Sequence, residues 1–179
     1  MRFCSFAIIL LISNALVLSC KDQDKDVLTV RNILGKTICL PNILYTLSQK
    51  QQDEIDQALL KIVSYIDGDC SVCVIQLSFW ADFANKLSML GYNVPILVYI
   101  STSNEEYVIK IIEKIGCEKI SWTFDHEKEF IFNNKLLNPT LQTIMIDSNN
   151  NVVDVGNPVL SEKRSMSYLK KIKKITQTH

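Results

Sequence analysis

Apolar and polar positions follow two rhythms along this chain, and together they predict strands alternating with helices. Leu59-Leu60-Lys61-Ile62-Val63-Ser64-Tyr65-Ile66 is an apolar run of strand length that ends at Asp67-Gly68-Asp69. Apolar residues then recur at Val72, Ile75, Phe79, Phe83, Leu87 and Leu90. Their spacing predicts a helix that buries this stripe, ending at Gly91-Tyr92-Asn93. Val94 to Ile100 is a continuous apolar strand, the pattern of a strand buried on both faces. Ser101 to Asn104 reads as a cap, Glu105 to Ile115 as a helix, and Gly116 as its stop. Ser121 to Asp125 is a short strand, and Phe130 to Leu137 a short helix ending at Asn138-Pro139. Leu141 to Asp147 and Val152 to Gly156 pair as a hairpin across Ser148-Asn149-Asn150-Asn151. Asn157-Pro158 breaks it. Ser161 to Ile175 closes the chain as a basic amphipathic helix with Tyr168, Leu169, Ile172 and Ile175 apolar; its lysines are expected to form a solvated face.

Upstream, Gly35 marks a turn and Thr37-Ile38-Cys39-Leu40-Pro41 alternates like a short strand, with Pro41 suited to an edge or strand end. Cys39 is expected to be a small apolar strand residue, as free cysteine is in cores. Gln51 to Leu60 leads as a helix or turn into the first long strand.

The N-terminus follows another logic. Met1-Arg2 supplies one positive charge, Phe3 to Leu18 is mostly apolar, and Leu16-Val17-Leu18-Ser19-Cys20 ends the stretch. A charged start, an apolar core and a small-residue cleavage site make a signal peptide over 1–19, too short to span a bilayer. Leu-x-Ser-Cys resembles the lipobox of bacterial lipoproteins, which implies cleavage before Cys20 and a lipid anchor on it. Residues 20–30 are then a tether, since Lys21-Asp22-Gln23-Asp24-Lys25-Asp26 has too few apolar groups to join a core. By the same resemblance, lysine rather than aspartate after the cysteine implies the outer membrane of a bacterial cell envelope, with its periplasmic or surface face left open. What remains, 31–179, is one domain's worth of chain. With 19 basic and 19 acidic residues the net charge is zero, so nothing in the composition suggests nucleic acid.

The candidate chemistry lies in Cys70-Ser71-Val72-Cys73, between a predicted strand and a predicted helix. At a helix N-terminus unpaired N–H groups and the helix dipole favour an anion, which suits a reactive thiol. Cys73 falls one turn in, close enough to attack a mixed disulfide on Cys70. Three other readings stand beside this one. Half a zinc site would need a second ligand pair, but Cys4, Cys20, Cys39 and Cys117 are scattered and the histidines are His126 and His179. A structural Cys70–Cys73 disulfide suits an oxidising compartment. The last reading is an inert reduced pair.

Strand, C-x-x-C helix, strand, helix, hairpin, helix resembles the thioredoxin-like order, and more narrowly the membrane-tethered TlpA type. The stretch Leu34-Gly35-Lys36-Thr37-Ile38-Cys39-Leu40-Pro41 is similar to that type's opening motif, and Phe124-Asp125 with Phe130 and Asn133 to its inserted segment. Thr143-Ile144-Met145-Ile146-Asp147 with Asn150-Asn151-Val152, continued by Gly156-Asn157-Pro158, is similar to its hairpin. The resemblance implies a three-layer α/β/α sandwich around a central mixed sheet. It also implies thiol–disulfide oxidoreductase activity on protein thiols and disulfides, with Cys70 attacking and Cys73 resolving. No cofactor or metal is implied. A membrane electron donor would be needed if the protein works as a reductant.

Three positions depart from the family pattern. Asp69 replaces the tryptophan usual before the first cysteine, and an anion there is expected to oppose the helix dipole. Ser64 replaces thioredoxin's buried acid, leaving Asp67 or Asp69 as substitutes. Counting back from Asp147 places Leu141 at the position of the family's cis-proline, followed by Gln142 and Thr143 in the docking segment; a trans peptide is expected there. Trp80 lies beside the helix stripe, expected in the core, with covering the cysteine pair as its alternative. The competing function is a non-catalytic binding lipoprotein of the same fold whose Cys70–Cys73 bridge staples the helix start. A peroxidase is a poorer match, since Asp67-Gly68-Asp69 precedes Cys70 where such enzymes carry a T-x-x-C pattern.

Overall fold

The computed structural model describes residues 30–41, 49–116 and 118–177. The expected signal peptide, Cys20 as the expected lipidation site and the expected tether up to residue 29 lie outside the described residues, as do the stretch 42–48, Cys117 and His179. The chain forms two compact units, Met1–Leu34 and Gly35–His179. Of the first, 30–33 is a helical turn, with the Leu34 N–H donating to the Val30 carbonyl at 3.3 Å. Among the described residues no helix is long and apolar enough to cross a membrane.

The second unit is built on a five-stranded mixed sheet. Its strands are β1 (Leu60–Asp67), β2 (Ile96–Ser101), β3 (Ile120–Phe124), β4 (Thr143–Asp147) and β5 (Val152–Val155), in the order β3-β2-β1-β4-β5. β1, β2 and β3 run parallel, while β4 is antiparallel to both β1 and β5. The helices are α1 (Gln49–Asp56), α2 (Ser71–Met89), α3 (Glu105–Ile115), α4 (Glu129–Asn133) and α5 (Glu162–Thr176), with a 3₁₀ turn at Pro139–Leu141.

Strand parity separates the two faces. Leu60, Ile62, Ile66, Ile96, Val98, Ile100, Ile120 and Met145 pack with α2, α3 and α5 in one apolar cluster. Two successive parallel connections of the same hand put α2 and α3 on one side of the sheet. The opposite parity, including Val63, Leu97, Tyr99, Ile144 and Ile146, is also buried. There Phe130 of α4 stacks on Tyr99 with centroids 4.9 Å apart, and the Tyr99 hydroxyl donates to the Pro41 carbonyl at 2.8 Å. All six residues of β2 are buried, as its unbroken apolar run predicts. α3 begins and ends where its signals place it. The Asn104 side chain accepts from the Tyr107 N–H at 3.1 Å, and Gly116 caps the end at φ 71°.

Five expectations are corrected. α2 does not bury the stripe Val72, Ile75, Phe79, Phe83, Leu87 and Leu90. It buries Val74, Leu77, Trp80, Phe83, Ala84 and Leu87, leaving Val72, Ile75, Phe79 and Leu90 exposed. Two stripes of helical spacing overlap in this sequence, and the one containing Trp80 brings the largest apolar side chain out of water. Residues 37–41 form no strand, only an isolated bridge between Thr37 and Asn151. The Asn134 side chain takes both backbone groups of Cys39, accepting its N–H at 2.8 Å and donating to its carbonyl at 2.7 Å. Cys39 is accordingly exposed rather than a core residue.

The helix expected over 130–137 is shorter, Glu129–Asn133, because Lys135 turns the chain at φ 57°. β4 starts at Thr143 rather than Leu141, since the Asn138 side chain caps the 3₁₀ turn before it by accepting the Thr140 N–H at 3.0 Å.

Candidate active site

β1 runs through the centre of the sheet to Asp67, and the chain must turn there to enter α2. Gly68 makes the turn tight: its N–H donates to the Ser101 carbonyl at 2.7 Å, and an added Cβ would sit 2.7 Å from the Thr102 Cβ. Cys70 is the N-cap of α2 in an extended conformation (φ −96°, ψ 105°), with its carbonyl accepting from the N–H groups of Cys73 at 2.9 Å and Val74 at 3.0 Å. Its thiol therefore stands where a helix favours negative charge.

Cys73, one turn in, is half-buried and packs against the apolar cluster. Burial pushes its thiol up from 9.0 to about 11, helped by the hydrogen bond it donates to Cys70 and by negative charge at Cys70 and Asp67. The two thiols thus differ in setting, Cys70 at the helix start and Cys73 half-buried one turn in. Asp67 is exposed and close enough for its charge to act on Cys73.

Asp69 does not simply set a charge beside Cys70. Its carboxylate accepts the Ser103 N–H at 2.8 Å, the Ser103 hydroxyl at 2.9 Å and the Thr102 hydroxyl at 2.9 Å. These bonds, the Ser103 N–H first, hold its carboxyl below the usual 3.8. Asp69 is a latch from the cysteine turn to the loop after β2, with its charge spread over three donors. The partners Thr102 and Ser103 escaped the sequence reading, which took 101–104 only as a helix cap. The signal lies in sheet register: Asp67 aligns with Ser101 in the parallel pair, so two residues on Asp69 meets Ser103.

Across the paired strands β1 and β4, the Ser64 and Thr143 hydroxyls share a hydrogen bond of 2.8 Å, both residues buried. Thr143 joins β4 to β1 by this contact. The Gln142 carbonyl accepts the Tyr65 N–H at 2.8 Å, continuing the β1–β4 register toward the cysteine turn. Leu141 is buried and ends the 3₁₀ turn, and no cis peptide occurs among the described residues. Trp80 is wholly buried, edge-on to Phe83 with centroids 6.3 Å apart, in the cluster that Cys73 also touches. The structure thus brings Cys70, Cys73, Asp67 and Asp69 together at one end of the sheet. Leu141, Gln142 and Thr143 lie on the neighbouring strand and its approach, and Trp80 in the core beneath.

No protein-family model matches the sequence, and no curated protein is similar to it. Solved structures do resemble the fold. A candidate thiol-disulfide oxidoreductase from Bacteroides vulgatus superposes with a TM-score of 0.52 at 11% identity, over 67% of this chain and 78% of its own. A candidate thiol:disulfide interchange protein DsbE from Chlorobium tepidum gives 0.51 at 12% identity, over 68% and 84%. A domain of a candidate thiol-disulfide isomerase from Cytophaga hutchinsonii gives 0.51 at 16% identity, over 82% and 97%. The fold is the thioredoxin-like α/β fold.

Proposed function

We propose that this thioredoxin-like chain, with a dithiol at the head of α2, exchanges disulfides with other proteins outside the bacterial cytoplasm. The Cys70 thiolate attacks one sulfur of a partner disulfide. The Cys70–partner bond forms, the partner's S–S bond breaks, and its second sulfur leaves as a thiolate that takes up a proton. Cys73 then gives up its proton, to Asp67 or through it to water, and attacks the Cys70 sulfur. The Cys70–Cys73 bond forms and the partner's first sulfur leaves. Two electrons pass from the pair to the partner, and a dithiol donor must return them; at a membrane that donor would be membrane-bound. The reverse sequence oxidises a partner dithiol.

The observation that carries this reading is the placement of the pair, with Cys70 as the N-cap of α2 and Cys73 one turn in, half-buried against the apolar cluster. The Leu-x-Ser-Cys ending of the apolar N-terminus supports a lipid anchor on Cys20, and Lys21 after it supports the outer membrane. The second reading, a stapled binding module, is favoured by the Ser64–Thr143 pair, which offers Cys73 no carboxylate from below. The test is the reduction potential of the pair, measured against glutathione or dithiothreitol buffers in protein beginning after Cys20. Exchange proteins lie between about −120 and −270 mV, structural disulfides below about −300 mV. A value in the upper range with rapid exchange on a protein disulfide is expected. A value below −300 mV with slow exchange, and full function in Cys70→Ser/Cys73→Ser, would leave the module.

A further inference from the structure

We infer that the partner polypeptide lies along α2 and carries apolar side chains close to its cysteine, which cover Val72, Ile75 and Phe79. The inference rests on the exchange reading above and names the class of partner it serves. These three side chains are 72%, 55% and 47% exposed. They share one side of the first two turns of α2, apart from the face that packs on the sheet. Such a row loses hydration free energy for as long as it stays uncovered.

Covalent geometry says what covers it. Val72 lies between the two cysteines, so a chain joined to Cys70 by a disulfide passes beside it. Disulfide-linked residues hold their Cα atoms about 4.4–6.8 Å apart. From there an extended chain advances ~3.3 Å per residue. Three to four residues of partner thus span the ~10 Å that seven helical residues rise from Val72 to Phe79.

At Phe79 the row opens into a groove of about 260 Å³ between α2 and the start of α5, walled by Phe83, Pro158 and Val159. One wall is fixed by the Asn157 side-chain amide, which donates to Gln76 at 3.1 Å. Asp82, Lys86 and Glu162 edge the same groove. An apolar centre with a charged edge is the anatomy of a transient polypeptide interface.

The test uses two disulfide-linked peptides of equal length and net charge. One carries Leu and Phe three and four residues from its cysteine, the other Ser and Asn. Exchange rates are measured by stopped flow on the reduced protein, on Ile75→Glu/Phe79→Glu, and on Met89→Glu, an exposed apolar position at the far end of α2. The expected result is at least a tenfold preference for the apolar peptide in the unaltered protein, about 1.4 kcal/mol. That preference should persist in Met89→Glu and fall to about one in the double variant. Equal rates for the two peptides, or a preference that survives the double variant, would overturn the inference. So would a homodimer, or adsorption to anionic phospholipid vesicles, that the double variant abolishes, since the row would then have another occupant. Oxidised glutathione, too small to reach Phe79, separates the two failures. Exchange with glutathione but no peptide preference removes only the docking inference, whereas no exchange with glutathione or with either peptide removes the exchange reading as well.

Discussion

At the level of single residues, the two thiols differ in what surrounds them. Cys73 is pushed to about 11 mainly by burial, with the bond to Cys70 and the charges of Cys70 and Asp67 adding to it. Reduced protein treated with iodoacetamide between pH 7 and 9 should therefore modify Cys70 and spare Cys73, as read by peptide mass mapping. In Cys70→Ala the Cys73 thiol should titrate lower, because one donor–acceptor contact and one charge are gone. It should still titrate above 9.0, because burial remains. Titration at 9.0 or below would mean that burial is not the main cause.

Asp69 gives the acid counterpart. Its carboxyl is depressed below 3.8 in the fold, so its contribution to stability is present above 3.8 and is lost as pH falls through the lowered value. The gap in urea midpoint between the unaltered protein and Asp69→Asn should hold from pH 7 to 5 and narrow below pH 3.8. A gap independent of pH would show that the latch does not need the charge.

Among the elements, the β1–α2 turn decides where the chemistry stands. Gly68 lets the turn lie against the Ser101 carbonyl and the Thr102 side chain, and Asp69 then closes the latch. Gly68→Ala would force the Cβ into the 2.7 Å approach to Thr102. Overpacking of this kind costs about 1–3 kcal/mol, and relief must come from moving the turn. The variant should lose stability in urea and also slow Cys70 alkylation. Lost stability with an unchanged alkylation rate would separate the turn from the thiol.

The same scale shows what a sequence carries. The C-x-x-C between strand and helix, the α3 boundaries at Asn104 and Gly116, and the hairpin at 148–151 are local signals, and they are legible. The buried face of α2 is not, because two stripes with helical spacing share Phe83 and Leu87 and only the packing of Trp80 chooses between them. The latch to Thr102 and Ser103 requires the sheet register before it can be read, and the Asn134 contacts to Cys39 join loop residues 95 apart in the chain that no strand pairing links.

For the molecule as a whole, the question is whether the Cys70–Cys73 bond supports the fold or is supported by it. A disulfide stabilises chiefly by restricting the unfolded chain, and the effect grows with loop length. A bridge closing only the four residues from Cys70 to Cys73 restricts little, about 2 kcal/mol on chain-entropy grounds. The remainder of the unit is already held by a two-faced core, with β5 tied to α5 through Asp154, which meets Lys171 at 3.1 Å and Arg164 at 3.6 Å. A fold of this kind does not depend on so short a bridge. The thermodynamic cycle then links stability to potential: whatever stabilises the reduced fold relative to the oxidised one raises the potential by the same free energy. The Cys73-to-Cys70 hydrogen bond exists only in the reduced form and works in that direction. Urea unfolding of reduced and oxidised protein at pH 7 should therefore show the oxidised form ahead by less than the ~2 kcal/mol of a pure staple, or behind. As pH rises past 9.0, an unfolded Cys73 ionises before the folded one, so the reduced fold should weaken relative to the oxidised fold, which has no thiol left to titrate there. An oxidised form ahead by the full staple value, with a gap that does not widen between pH 9 and 11, would mean that the bond supports the fold.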